Sequence, residues 1–510
     1  MRRNRGPRVL WALLVVLAAA GLFACYWRQS LGAIATSDGA SFALQAWDML
    51  HGNVLLHGWH LADVSFYTTE LPQYMLIESL SGLGPWVVHI ATAMTYTLLV
   101  LLAGAVARGD ARGAEGLTRA LVAAGIIVAP QLTQTTTLLG PPDHTGSAVP
   151  VLLTWLIIDA GRRTPRTWRQ WIAAIAVCLI LAVGFAADTL VLVTGIAPVI
   201  AACAGQLVRD RAKPRWYELT LAAAAAAAAG LGWAIGRLVS QAGGYTRVPV
   251  DTHLISVRQL GHAVRVAGQN LLDLFGADVF RARPGIEYAA AVVHLTGVLL
   301  VACAFLLAVR HVAGSDLLVA GLVWGIAFNL AAYMLTGHGQ GIANVREIAA
   351  VMPLGAALAG RVLASPIRKL RLVPVLSVVA AAYLLSLGYA AAQPPTPAPD
   401  QALARWLAAH QLRDGLGGYW QANIVTLDSG GRIKVSCAWG GNGSYVPCGW
   451  ETQDADYDPQ RYRPTFYVLS DGGQGAEKSL KYAFGPAPRV YHVAGYTVMV
   501  WDANLLRRLG

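Results

Sequence analysis

Eleven apolar stretches run through this 510-residue chain, and its basic residues fall almost entirely in alternate gaps between them. Crossing a hydrocarbon layer of about 30 Å takes roughly 20 helical residues, and a helix satisfies its own backbone polar groups there. The expected spans are 8–27, 86–107, 118–139, 147–161, 171–187, 189–208, 217–239, 286–309, 315–336, 345–363 and 372–392, the fourth and fifth being short. With 55% hydrophobic and only 13% charged residues, the composition excludes a soluble globular chain.

Arg2, Arg3, Arg5 and Arg8 precede the first span. The gaps on the same side hold Arg108, Arg112 and Arg119; Arg162, Arg163, Arg166 and Arg169; Arg209, Arg211, Lys213 and Arg215; Arg310; and Arg361, Arg368, Lys369 and Arg371. Together these are 20 of the 39 Lys and Arg residues. The opposite gaps hold Arg28, Arg247, Arg258, Arg265, Arg281, Arg283 and Arg346, although 27–85 and 240–285 are long loops. The positive-inside rule therefore predicts a cytoplasmic N-terminus and, after an odd number of spans, an external tail at 393–510 of a multi-pass plasma-membrane protein. This topology accounts for the net charge of +11 and calls for no nucleic-acid partner. The first span follows a basic start but no small-residue cleavage site follows Trp27, so it reads as a retained helix.

Residues 1–392 form the expected helical membrane domain, 393–399 a stiff linker rich in proline, and 400–510 a small external α+β domain. In the tail, 400–412 is amphipathic, and Ile424–Leu427, Ile433–Cys437, Phe466–Leu469, Val490–Val493 and Thr497–Trp501 read as strands. Cys437 and Cys448 either form a disulfide, which requires an oxidising compartment, or remain two thiols. Tyr419, Trp420 and Tyr467 are expected in the core, and Trp439 and Trp450 as stacking faces for sugars. Asn442-Gly443-Ser444 has the form of a glycosylation sequon.

The loop 27–85 carries five acids and one base and is too long for a bare connector. Ser37-Asp38-Gly39, followed by Phe42, Leu44, Trp47, Met49 and Leu50, predicts a capped amphipathic helix along the membrane surface. Pro72 starts a second helix with Glu70 at its positive end. Both acids either cap helices or do chemistry.

The order of Asp38, Ala43, Trp47-Asp48-Met49-Leu50 and His51-Gly52-Asn53, then Phe66-Tyr67 and Leu71-Pro72-Gln73-Tyr74, resembles the first external loop of bacterial glycosyltransferases of the protein O-mannosyltransferase and aminoarabinose transferase type. The likeness continues in Gly140-Pro141-Pro142-Asp143-His144-Thr145-Gly146 and in Asn344-Val345-Arg346-Glu347 with Ala350-Val351-Met352-Pro353-Leu354. It covers mainly 30–160 and 335–365 and implies a GT-C-like helical fold. Asp38 is followed by Gly39 where the family often has Asp-Glu, and Thr69-Glu70-Leu71-Pro72 replaces its Lys-Pro-Pro, which leaves the sugar donor and any metal unassigned.

The resemblance implies transfer of a sugar from a polyprenyl-phosphate donor to an acceptor hydroxyl on a lipid, glycan or protein, with inversion. Asp38 is then the candidate base and Arg346 the donor-phosphate contact, Glu70 supports the cavity, and Asp143 and His144 orient the acceptor. Asp143 and His144 with Asp38 holding a divalent cation, and Asp143 as an ordinary turn residue, stay open. The rival readings are a transporter or flippase of a lipid-linked saccharide, and a non-catalytic envelope protein whose helices anchor the tail. The middles of the spans hold few charges, which speaks against transport.

Overall fold

The computed structural model of the protein describes residues 6–141, 143–164, 166–209, 216–249, 253–312, 316–337, 342–441, 443–472 and 474–509. Arg2, Arg3, Arg5, Pro142, Arg211, Lys213, Arg215 and the sequon's Asn442 lie outside them.

The helices in chain order are α1 (Gly6–Ser30), α2 (Ser37–Leu50), α3 (Glu70–Ser81), α4 (Trp86–Arg108), α5 (Gly113–Ile127), α6 (Thr135–Leu138), α7 (Ala148–Arg162), α8 (Thr167–Ala187) and α9 (Ala197–Arg209). They continue as α10 (Trp216–Gln241), α11 (Leu260–Leu274), α12 (Ile286–Arg310), α13 (Leu317–Leu335), α14 (Val351–Lys369), α15 (Val373–Ala391), α16 (Pro399–Ala409), α17 (Tyr419–Asp428) and α18 (Gln474–Phe484). The chain divides into two compact units, one of 1–33, 92–235 and 251–395, the other of 34–91, 236–250 and 396–510. The first long loop thus clusters with the tail.

Among the described residues, nine helices are long and apolar enough to cross a membrane. They make the chain a multi-pass membrane protein. The expected span 118–139 is instead broken, with Gly113–Ile127 and Leu132–Leu138 meeting at 75°. Pro130 removes an amide donor at the break, and the helix cannot run through it. The carbonyls freed there find side-chain donors. Tyr96 Oη donates to Ile127 O at 2.8 Å, Tyr26 Oη to Val128 O at 2.6 Å, and Gln29 Nε2 to Pro130 O at 2.9 Å. Beyond the bend, Gln131 Nε2 donates to Gly276 O at 2.5 Å and Gln134 Nε2 to Asp273 O at 2.9 Å, tying the segment to the end of α11. The expected span 147–161 is α7, only 15 residues long, with Trp155 fully buried.

Small residues let the helices of this unit approach closely. A Cβ on Gly360 of α14 would stand 2.4 Å from the Arg119 carbonyl of α5, and one on Gly321 of α13 would meet the Trp155 ring at 1.9 Å. At one end of the bundle Arg361, with its side chain 7% exposed, joins four helices. Its guanidinium pairs with Asp159 at 3.1 Å and Asp316 at 3.3 Å and donates to Val106 O at 2.8 Å.

The second unit is built on a six-stranded sheet. Its strands are β3 (Asp414–Gly417), β4 (Lys434–Gly441), β5 (Ser444–Pro447), β7 (Phe466–Ser470), β8 (Arg489–Val493) and β9 (Tyr496–Val500), in the order β5-β4-β3-β7-β9-β8. β3 runs parallel to both neighbours, and the other pairs are antiparallel. Leu416, Tyr467, Met499, Phe484 and Trp501 form its core. A second, three-stranded sheet joins β1 (Trp59–Leu61) from the first loop to β2 (Thr246–Arg247) and to β6 (Thr452–Gln453) from the tail. Cys437 and Cys448 are disulfide-bonded, bridging β4 to the residue after β5.

Two expectations fail here for one reason. Ile424–Leu427 lies in helix α17, whose residues 422–427 are all buried, and an apolar run covered on every side loses the periodicity that tells helix from strand. Likewise α2 is not an interfacial helix with one free face: ten of its fourteen residues, from Ser37 to Met49, are buried within the unit. Trp420, expected in the core, is 61% exposed, whereas Tyr467 is buried as expected.

Gly321→Ala should destabilise the helical unit by about 1–3 kcal/mol, since its Cβ has no room beside Trp155. Thermal unfolding of the purified protein in detergent measures this, and Gly321→Ala with Trp155→Leu should recover part of the loss.

Candidate functional site

The residues singled out above fall into two constellations, one in each unit. Asp143, His144 and Arg346 belong to the first unit, Asp38 and Glu70 to the second.

In the helical unit, Arg346 stands at the start of the candidate span Asn344–Lys369, as expected, in a 3₁₀ segment, Ile342–Ile348, that leads into α14. Its Nη1 is 3.4 Å from Asp143 Oδ2 and its Nη2 donates to Thr136 O at 2.7 Å. These contacts use two of the five N–H donors of a guanidinium, the side chain suited to a phosphate fork. The next residue, His144, holds a left-handed backbone at φ +55°. Its Nδ1 donates to Asp188 Oδ2 at 2.8 Å and its Nε2 is 3.6 Å from Asp143 Oδ1. Asp188 also accepts from the Ser147 hydroxyl and, at 2.8 Å, from the Leu190 amide.

Burial by itself lowers the His144 pKa, but Asp188, then Asp143 and Glu347, outweigh it and push it up to about 10. Burial in turn raises the Asp188 pKa, and the His144 cation with the hydroxyl and amide donors reverses that, leaving the carboxyl below its ordinary value. These acid neighbours favour the charged form of His144. Among the described residues no three His, Cys, Asp or Glu side chains are grouped to hold a metal ion. Asp188 was not singled out from the sequence. The available signal was its position as the one acid between the fifth and sixth apolar stretches, where a charge is costly unless paired.

In the second unit, Thr36 caps α2 and Asp38 lies in its first turn. The Tyr419 hydroxyl, from the start of α17, donates to Asp38 Oδ1, while Ser37 Oγ donates back to Tyr419 O at 2.5 Å. Burial, reinforced by the charges of Asp38 and Glu451, keeps the Tyr419 phenol far above its ordinary pKa, so it remains a donor. Glu451 is 2% exposed. One of its oxygens accepts from the Ala62 amide at 2.8 Å and the other from Gln45 Nε2 at 2.5 Å. Burial pushes the Glu451 carboxyl up to about 7, the Asp38 charge adds to this, and its hydrogen-bond donors oppose it. Glu70 is the first residue of α3, buried, with the Thr69 hydroxyl on its carboxylate, a placement the helix dipole favours. Tyr419 and Glu451 had no sequence signal as site residues, because the pairing joins positions hundreds of residues apart.

No protein-family model matches the chain, and no curated protein matches it by sequence. Solved structures do. The chain superposes on ArnT from Cupriavidus metallidurans bound to undecaprenyl phosphate with a TM-score of 0.50, 14% identity and 100% coverage of both chains. The fold is of the GT-C type. Weaker likenesses run to the apo state of the same ArnT (TM-score 0.48, 14% identity, 99% of this chain and 100% of that one) and to the archaeal oligosaccharyltransferase AglB from Archaeoglobus fulgidus in complex with an inhibitory peptide and a dolichol-phosphate (0.48, 11%, 94% and 72%). The GT-C fold anticipated from the loop motifs is thus the observed one, reached with almost no sequence identity.

Asp188→Asn should unpair a buried cation and cost about 3 kcal/mol or more. The His144 pair contributes fully below the ordinary imidazole value of 6.5 and loses its contribution as pH rises toward about 10. The variant's deficit, followed by thermal unfolding against pH, should accordingly be largest near pH 6.5 and shrink toward pH 10. A deficit that is flat over that interval would refute the charged-pair assignment.

Proposed function

We propose that this protein is a membrane glycosyltransferase that moves a sugar from a polyprenyl-phosphate donor to an acceptor hydroxyl of the cell envelope, with inversion at the anomeric carbon. The observation that carries the reading is the GT-C fold shared over the whole length of ArnT, whose solved form is bound to undecaprenyl phosphate. The acidic residue just past the first helix and an arginine before α14 supply the chemical groups such a transfer needs.

In the proposed step, Asp38 accepts the proton of the acceptor hydroxyl as the acceptor oxygen forms a bond to the anomeric carbon. The bond from that carbon to the phosphate oxygen breaks, and the lipid phosphate leaves with the electron pair. Its extra charge is met by Arg346, oriented by Asp143 and the Thr136 carbonyl, next to the His144 cation. Glu70 supports the start of α3 in the unit that carries Asp38. One in-line displacement yields inversion. The disulfide between Cys437 and Cys448 supports a tail on the oxidising, external face of a bacterial inner membrane, and the alternating basic gaps support a cytoplasmic N-terminus. The acceptor's class, whether lipid, glycan or protein, is set by the assay below.

Purified protein supplied with radiolabelled polyprenyl-phosphate sugars and envelope extract should transfer label. Asp38→Asn should slow transfer by about 10²–10⁴ while donor binding persists. Arg346→Ala should instead weaken donor binding as well as turnover. Lipid-linked sugar that crosses proteoliposome membranes without any transfer would replace this reading with a transporter.

A further inference from the structure

Asp38, Ser41 and Gln45 stand at positions i, i+3 and i+7 of α2 and so share one face of it. Two of the three are held by the tail. The Tyr419 hydroxyl bonds the Asp38 carboxylate and Gln45 Nε2 donates to Glu451 at 2.5 Å, while the Ser41 hydroxyl donates to the Asp38 carbonyl oxygen at 2.8 Å within the helix. The Ala62 amide, from the chain beyond β1, completes the set of donors around Glu451. A helix's first turn has few internal hydrogen bonds and frays readily. Here α2 is clasped from outside at Asp38 in that turn and again at Gln45.

Glu451 itself stands in a conformation that needs a reason. Its backbone is left-handed at φ +51°, a strained conformation uncommon for a residue with a side chain. The turn is held in place by Asn423 Nδ2, which donates to Glu451 O at 3.0 Å, and by the disulfide three residues upstream. A buried carboxylate is an expensive way to join two elements where an apolar contact would suffice. What a carboxylate adds is directional acceptance of several donors at once, which fixes rotation and register of the helix it grips.

Resting on the reading of Asp38 as the base, we infer that Tyr419 and Glu451 are positioning residues for the Asp38 carboxylate, so that the tail completes the reaction centre. Tyr419 fixes the carboxylate's orientation. Glu451 fixes the helix turn that bears it. A base that must meet one hydroxyl in one line of attack loses rate steeply with small displacements, whereas affinity for a lipid donor gripped elsewhere does not. The titratable groups that act on Glu451 are Asp38 and Tyr419, and its carboxylate accepts from the neutral donors of Gln45 and Ala62. Since the Glu451 carboxyl titrates near 7, protonation below that pH weakens the clasp and gives turnover an acidic limb.

The test uses the full-length protein in lipid nanodiscs with the polyprenyl-phosphate sugar that supports transfer, comparing wild type, Asp38→Asn, Tyr419→Phe and Glu451→Gln. Tyr419→Phe and Glu451→Gln should each lower kcat on the order of 10–100-fold with the donor KM unchanged. Glu451→Gln should also erase the acidic limb near pH 7. Should Glu451→Gln fail to fold, Tyr419→Phe, which keeps the ring and the Ser37 bond to the Tyr419 carbonyl, carries the test alone. Loss in Asp38→Asn with wild-type kcat in both tail variants overturns the inference and leaves the base reading standing. Higher kcat in the tail variants overturns it too, because the contact would then block the carboxylate. Full transfer by Asp38→Asn removes the base reading and the inference together.

Discussion

In hydrocarbon there is no water to bond a free amide or carbonyl, and nearly everything in the helical unit follows from that. It makes the spans helical, and it dictates what must happen where a helix cannot continue. At Pro130 the chain turns through 75°, and the carbonyls around the break are taken over by Tyr26, Tyr96 and Gln29 while Gln131 and Gln134 cap the end of α11. A proline that would merely kink a soluble helix here recruits side chains from α1 and α4 to complete the backbone. The bend is consequently a fixed feature, over-determined by partners from three helices.

Burial likewise explains why charges in this unit come in groups. Arg361 is matched by Asp159 and Asp316, Arg346 by Asp143, and His144 by Asp188. Pairing lets each ion remain an ion, and it also reverses what burial alone would do: His144, which burial would neutralise, stays protonated.

The second unit solves a different problem. A 14-residue helix cut from the first loop is short for independent stability, and ten of its residues are buried by protein. It is instead packed among α3, α17 and the hydrogen bonds of Tyr419 and Glu451. The three-stranded sheet that binds the first loop to β6 of the tail serves the same end. Asp38 is thereby presented by tail and loop jointly, although the chain runs through the entire helical bundle between them.

How much of this was legible depended on how local each signal is. Most of the spans, the bases in alternate gaps and the amphipathic tail helix are properties of contiguous residues, so they were determined by the sequence itself, whereas the break in 118–139 was not foreseen. The loop motifs around Asp38, Asp143 and Arg346 likewise sufficed for the GT-C fold. Ile424–Leu427 and α2 were misread because their surroundings, which only folding supplies, cover the faces that periodicity would have assigned to solvent or lipid. Asp188, Tyr419 and Glu451 acquire meaning only from partners 44, 381 and 406 residues away. Pairings at such separations leave no periodic trace in one chain, because their energy comes from desolvated charges meeting in space, and that meeting is decided by the tertiary structure alone.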